Sequence, residues 1–222
     1  MLTHHINVPI EGGYIESTIH KPPEAKIIVL ISYAPGSGRF NVRNRRLVEQ
    51  LDNAGFATLL CDWTQVKEMN EHFDHLKMAE SLAVIVRWLK NHRAFKNLSP
   101  TLYGSGTGAA FSMIAASEME DSIKAVVTRN GRLETAEPYL AKIKSPTFIT
   151  VGEKDFHLLQ SNKKVYEKLD CPKRLVVLPG ITPFFEEPKK MERVGKLSIE
   201  WIQKHSLSRT DSSAREDMAQ RT

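Results

Sequence analysis

The residues with the clearest chemical potential lie in "TLYGSGTGAAFSMIAA", Thr101 to Ala116. Glycines at 104 and 108, followed by Ala109 and Ala110, suit a strand that turns sharply into a closely packed helix. In the G-x-S-x-G form of this turn the middle residue is a nucleophilic serine, and the helix amides hold the oxyanion formed on attack. Here the middle residue is Gly106, which has no side chain, and the serine stands one position early, at Ser105. Side chains next to the apex point away from it, so Ser105 reads first as a small packing residue and second as a substitute nucleophile. Thr107 reads as a cap or first-turn residue of the helix.

Two further groups could take part in proton transfer. In "VGEKDFH", Asp155 reads either as a catalytic acid or as the cap of a helix starting near Leu158. His157 lies two residues on, where it could enter a cleft, but a base needs a nucleophile within hydrogen-bond reach. His72 and His75 flank Asp74 at a spacing of three, yet no third ligand accompanies them, so no metal is expected. Cys61, after "FATLL", reads as a buried small hydrophobe. Gly104-x-Gly106-x-x-Ala109 also fits a relaxed dinucleotide turn, but that turn belongs after the first strand of a βα series and wants an acid at the end of the next. The strand that follows here ends in Arg129, and "APGSGR" (34–39) lacks the Lys-Ser/Thr ending of a phosphate loop. No cofactor is predicted.

The elements that must position these groups follow from periodicity. Residues 4–9 and 14–20 alternate apolar and polar around "IEGG", the pattern of a hairpin with one solvated face. "KIIVLISY" (26–33) is a nearly continuous β-branched run, as expected for a parallel strand covered on both faces. Helices are predicted over 43–54, 75–93, 107–118, 135–143, 158–169 and 188–205, and strands over 56–61, 100–104, 123–128, 146–151 and 173–178. A hairpin followed by repeated βα units defines a three-layer α/β architecture with a mostly parallel sheet. Ligands bind such sheets outside the carboxyl ends of the strands, which selects loops 33–42, 61–74, 104–107, 129–134, 152–158 and 179–187.

Composition bounds the partners. The chain has 222 residues, 41% of them hydrophobic, which suits one domain over 1–205. The polar stretch 206–222 lacks apolar periodicity and reads as a solvated tail. A net charge of +5 is spread along the chain. "RFNVRNRR" (Arg39–Arg46) reads as a solvated loop and helix start, and no nucleic-acid module is recognisable. The absence of a secretory leader or bilayer-length apolar run, with two cysteines at no metal spacing, points to a cytoplasmic protein that does not bind membranes.

The stretches "VLISYAPGSGRFNVRNRRLVEQLDNAGFATLLCD", "LYGSGTGAAFSMIAA", "IKAVVTRNGR", "SPTFITVGEKD" and "LVVLPGITPFFEEP" resemble, in order and spacing, the dienelactone-hydrolase-like branch of the α/β hydrolases. The resemblance runs from about residue 26 to 203 and implies, for intact members, hydrolysis of esters by a Ser-Asp-His triad. Set against the elbow "GASTGAA" of such members, "GSGTGAA" puts Gly106 at the nucleophile position. Asp155 falls at the acid position. "PGITPFFEEP" puts Pro183 where a "PGATHLFEEP"-like segment carries its histidine. Two of the three positions therefore lack the required chemistry, since glycine offers no nucleophile and proline exchanges no proton. A second loss beside Gly106 favours natural decay of the triad over a single engineered change.

The sequence thus predicts a degenerate α/β hydrolase that binds a small, partly apolar acyl or ester-like ligand. Tyr33, Gly36, Trp63, Thr107, Phe156, His157, Phe184 and Phe185 are the expected surroundings of that ligand. A weak ester hydrolase using Ser105 and His157, and a protein-interaction module, are the competing readings. A homo-oligomer is compatible with either.

Overall fold

The fold, obtained as a computed structural model, describes residues 2–10, 13–33, 41–63, 74–119, 122–181 and 188–206. Strands β1 (Leu2–Ile10) and β2 (Gly13–Lys21) form the antiparallel entry hairpin. The βα series follows as β3 (Ile27–Ser32), α1 (Val42–Asn53), β4 (Ala57–Cys61), α2 (His75–Asn91), β5 (Ser99–Ser105), α3 (Thr107–Glu118) and β6 (Val126–Arg129). A 3-10 segment (Glu134–Lys142), β7 (Thr147–Gly152), α4 (Phe156–Lys168), β8 (Lys173–Leu178) and α5 (Pro188–Ser206) complete it.

The strands form one eight-stranded sheet in the order β1-β2-β4-β3-β5-β6-β7-β8. From β4 to β8 every neighbouring pair is parallel, and β2 joins β4 antiparallel with Ser17 opposite Cys61. Every residue of β3 and β4 is buried, because helices cover the sheet on both faces, and their largely apolar composition follows from that. One core cluster joins α2, α3 and α4 to the sheet through residues such as Leu82, Val86, Phe111, Met113 and Val165. A second places Leu47, Leu51, Trp201 and Ile202 of α1 and α5 against the opposite face, and a smaller third holds Leu178, Ile181, Met191 and Val194.

The segment predicted as a helix over 135–143 is a 3-10 helix instead. Pro138 lies inside it and removes a backbone donor, which an α-helix of that length would need. Helix α4 starts two residues earlier than predicted, because Asp155 itself is its N-cap. Helix α5 runs through Ser206, whose hydroxyl lies 3.4 Å from that of Thr101. No helix among the described residues is long and apolar enough to cross a membrane.

Candidate functional site

The β5–α3 turn sits at the carboxyl edge of the sheet, and steric clearance explains its composition. A Cβ on Gly104 would lie 2.4 Å from the Ala109 Cα, and one on Gly108 would lie 2.5 Å from the Ser32 carbonyl oxygen. Both contacts are with backbone, which cannot swing aside. Helix α3 can therefore approach β3 and β5 only with glycine at these two places. Gly106 is the N-cap of α3 with φ 59° and ψ −127°, a conformation side-chain-bearing residues adopt only under strain.

The loop after β6 is fastened to this apex. Gly106 N–H donates to the Arg129 carbonyl at 3.3 Å, and Arg132 N–H donates to the Gly106 carbonyl at 3.0 Å. Asn130, at φ 44°, accepts the Gly152 N–H on its Oδ1 at 2.8 Å, which ties the loop to the end of β7. From α4 the fully buried Asn162 donates through Nδ2 to the carbonyls of Gly131 (2.8 Å) and Leu158 (2.9 Å). Three loops at the carboxyl edge are thus bound into one unit.

They enclose a cleft of about 430 Å³ lined by Gly106, Asn130, Arg132, Glu134, Asp155, His157, Leu158 and Ser161. Asp155 accepts the Leu158 N–H at 3.2 Å and so caps α4 while facing the cleft. Ser161 donates to Glu134 Oε2 at 3.2 Å. Arg132, Glu134 and His157 are exposed.

Of the residues singled out from sequence, Gly106, Asp155 and His157 are brought together at this cleft. Ser105 ends β5, 8% exposed and absent from the cleft lining. Thr107 is the first residue of α3, and its Oγ1 is buried without a hydrogen-bond partner. Tyr33 and Trp63 are each 1% exposed and pack in the core rather than lining the described cleft. Tyr33 belongs to the cluster under α1 and α5, while Trp63 meets the Phe111 ring edge-on at 5.2 Å. Phe156 is 65% exposed and sits outside the lining, with its ring 6.2 Å from that of His157. Gly36, His72, Pro183, Phe184 and Phe185 lie outside the described residues.

His75 starts α2, and partial burial lowers its imidazole pKa against the raising pull of Asp74 and Glu134. Among the described residues no three His, Cys, Asp or Glu side chains could hold a metal ion. Cys61 is fully buried, and desolvation pushes its thiol up to about 12, so it carries no thiolate near neutrality. Of the loops the sequence selects, 104–107, 129–134 and 152–158 contribute to this cleft, whose lining also includes Asn130, Arg132, Glu134 and Ser161, none of them singled out from sequence. For Asn130, Arg132 and Glu134 the available signal was their place in "RNGRLE", at the end of a parallel strand; Ser161, on α4, carried none.

A mostly parallel sheet with an antiparallel hairpin, a strand–glycine turn–helix elbow and a cleft at its carboxyl edge define an α/β-hydrolase fold. Residues 15–191 match the dienelactone hydrolase family, and the chain belongs to that family. A solved dienelactone hydrolase from Anabaena variabilis is 31% identical, with a TM-score of 0.87 over 92% of this chain and 98% of that one. The ferulic-acid-bound Est1E of Butyrivibrio proteoclasticus shares the fold at 16% identity, with a TM-score of 0.77 over 89% of this chain and 99% of that one. A provisionally named phosphoribosyl transferase of Mycobacterium tuberculosis is 35% identical over 201 residues. That alignment takes in 89% of this chain but only 44% of the relative.

Proposed function

We propose that this chain is a non-hydrolytic member of the dienelactone hydrolase family that binds a small molecule in the cleft beside its elbow. The observation that carries this reading is Gly106: it holds the strained apex conformation at the mouth of an open cleft and presents no side chain there. Asp155, at the position the resemblance gives to the triad acid, spends one oxygen capping α4. Ser105 is buried away from the cleft, and the Ser161 hydroxyl donates to Glu134 with no imidazole as its described partner. The arrangement supports binding over acyl transfer, which needs a base on the attacking hydroxyl. On this reading, the activity named for the longer Mycobacterium relative belongs to the part of it that this chain does not match.

Hydrolysis of p-nitrophenyl acetate by the purified chain tests the proposal. The expected rate equals the buffer background. Turnover abolished by Ser105→Ala or by Ser161→Ala would establish a reassigned ester hydrolase and sink the binding reading.

A further inference from the structure

Resting on that binding role, we infer that the cleft takes a small polyhydroxylated molecule carrying one anionic group, a sugar phosphate or a sugar acid, rather than an apolar ester. Among the described residues its lining carries Arg132, Glu134, Asp155, His157 and Ser161, with Leu158 the one large apolar residue. Each carboxylate commits one oxygen to the fold: Asp155 Oδ1 to the Leu158 amide and Glu134 Oε2 to Ser161. No hydrogen bond is described to the second oxygen of either, although Glu134 also acts electrostatically on His75. The side chains of Arg132 and His157 likewise have no described hydrogen bond, which leaves donors facing the same space.

Hydroxyl groups both donate and accept, so a vicinal diol can satisfy a carboxylate and a guanidinium at once. An acyl chain or aromatic ring in the same space would desolvate these charged groups and return no hydrogen bonds. The anionic end is directed by Arg132, whose backbone is tied to the apex at 3.0 Å beside the amino end of α3. Gly106 brings no side chain to that end. The volume of about 430 Å³ falls within the range of small-molecule sites.

Isothermal titration calorimetry with ribose 5-phosphate, gluconate, ribose, inorganic phosphate and phenylacetate tests the inference. Ribose 5-phosphate or gluconate is expected to bind about tenfold tighter than ribose or phosphate alone, since each of those makes only part of the contacts. Which of the two binds tells a sugar phosphate from a sugar acid. Arg132→Gln, at an exposed position, is expected to weaken the charged ligand about tenfold without changing the melting temperature. Three outcomes overturn the inference: neither ligand binding up to about 10 mM, phenylacetate binding in preference, or indifference to Arg132→Gln. Preferred phenylacetate binding would leave the binding role standing, whereas ester turnover would remove that role itself.

Discussion

Arg132 donates its backbone N–H to the carbonyl of Gly106 at 3.0 Å, so the loop after β6 and the apex of the elbow hold each other in place. The relationship runs through backbone atoms and uses no side chain at 106. It separates the shape of this site from the chemistry its relatives perform, and the predictions below probe that separation.

Gly104→Ala and Gly108→Ala are each expected to destabilise the fold by about 3 kcal/mol or more, because the new methyl would overlap backbone at 2.4 or 2.5 Å. Urea unfolding followed by circular dichroism measures this. A loss below that of an ordinary surface substitution would show that α3 can shift away from the sheet.

Gly106→Ser restores a hydroxyl at the apex but places a side chain at φ 59°. The expected cost is about 1–3 kcal/mol of stability. With proline at position 183, ester turnover should stay at background. A variant as stable as the parent, or one that hydrolyses p-nitrophenyl acetate, would contradict this account of the elbow.

Asn162→Leu removes the side-chain hydrogen bonds to the Gly131 and Leu158 carbonyls and takes away the tie between α4 and the loop after β6. A loss of about 1–3 kcal/mol is expected. Amide exchange should rise locally over 130–132 and 158–160. Exchange that rises evenly across the sheet would show that Asn162 serves the core and not the loop.

A pH dependence far from the cleft is also predicted. Asp52 of α1 accepts the Thr58 hydroxyl at 3.1 Å and lies 3.6 Å from His20 of β2. Burial, with a smaller contribution from Glu49, raises its carboxyl from 3.8 to about 6. The folded chain therefore holds a proton there that the unfolded chain releases. The associated stability is complete below pH 3.8 and is lost as pH rises through about 6. Burial and His5 lower the His20 pKa, and that group works in the opposite sense, adding stability as pH rises toward 6.5. Asp52→Asn removes the first contribution. Relative to the parent, its stability should rise between about pH 4 and 6, by on the order of 1 kcal/mol. A difference that does not change with pH would refute the buried carboxyl.

The fold was readable because its signals are long and redundant. The β-branched run of β3 and the apolar spacing of α2 each state their burial several times over, and the glycines of the elbow state a steric need that few arrangements share. The 3-10 segment was misread because Leu133, Ala136 and Leu140 carry helical spacing, while the cost of Pro138 depends on the hydrogen bond it cannot make. The cleft was readable by location alone. Arg132, Glu134 and Ser161 are ordinary surface residues in a linear sequence, and they gain meaning only when Asn130 and Asn162 draw their loops together. Tyr33, a polar-tipped aromatic at a strand end, suits a cleft wall or the core equally well in sequence, and it packs in the core cluster with α1 and α5.

Helix α3 has an unbroken buried stretch from Gly108 to Ser117, with the hydroxyls of Ser112 and Ser117 turned back onto its own carbonyls. Such an element has no free face on which sequence can drift. A lineage that gave up its reaction would still be obliged to keep the elbow, as a casting keeps the outline of a mould after the original has been removed. The chemical signature and the structural signature of such an element are therefore free to change at different rates, because packing holds the second whatever becomes of the first.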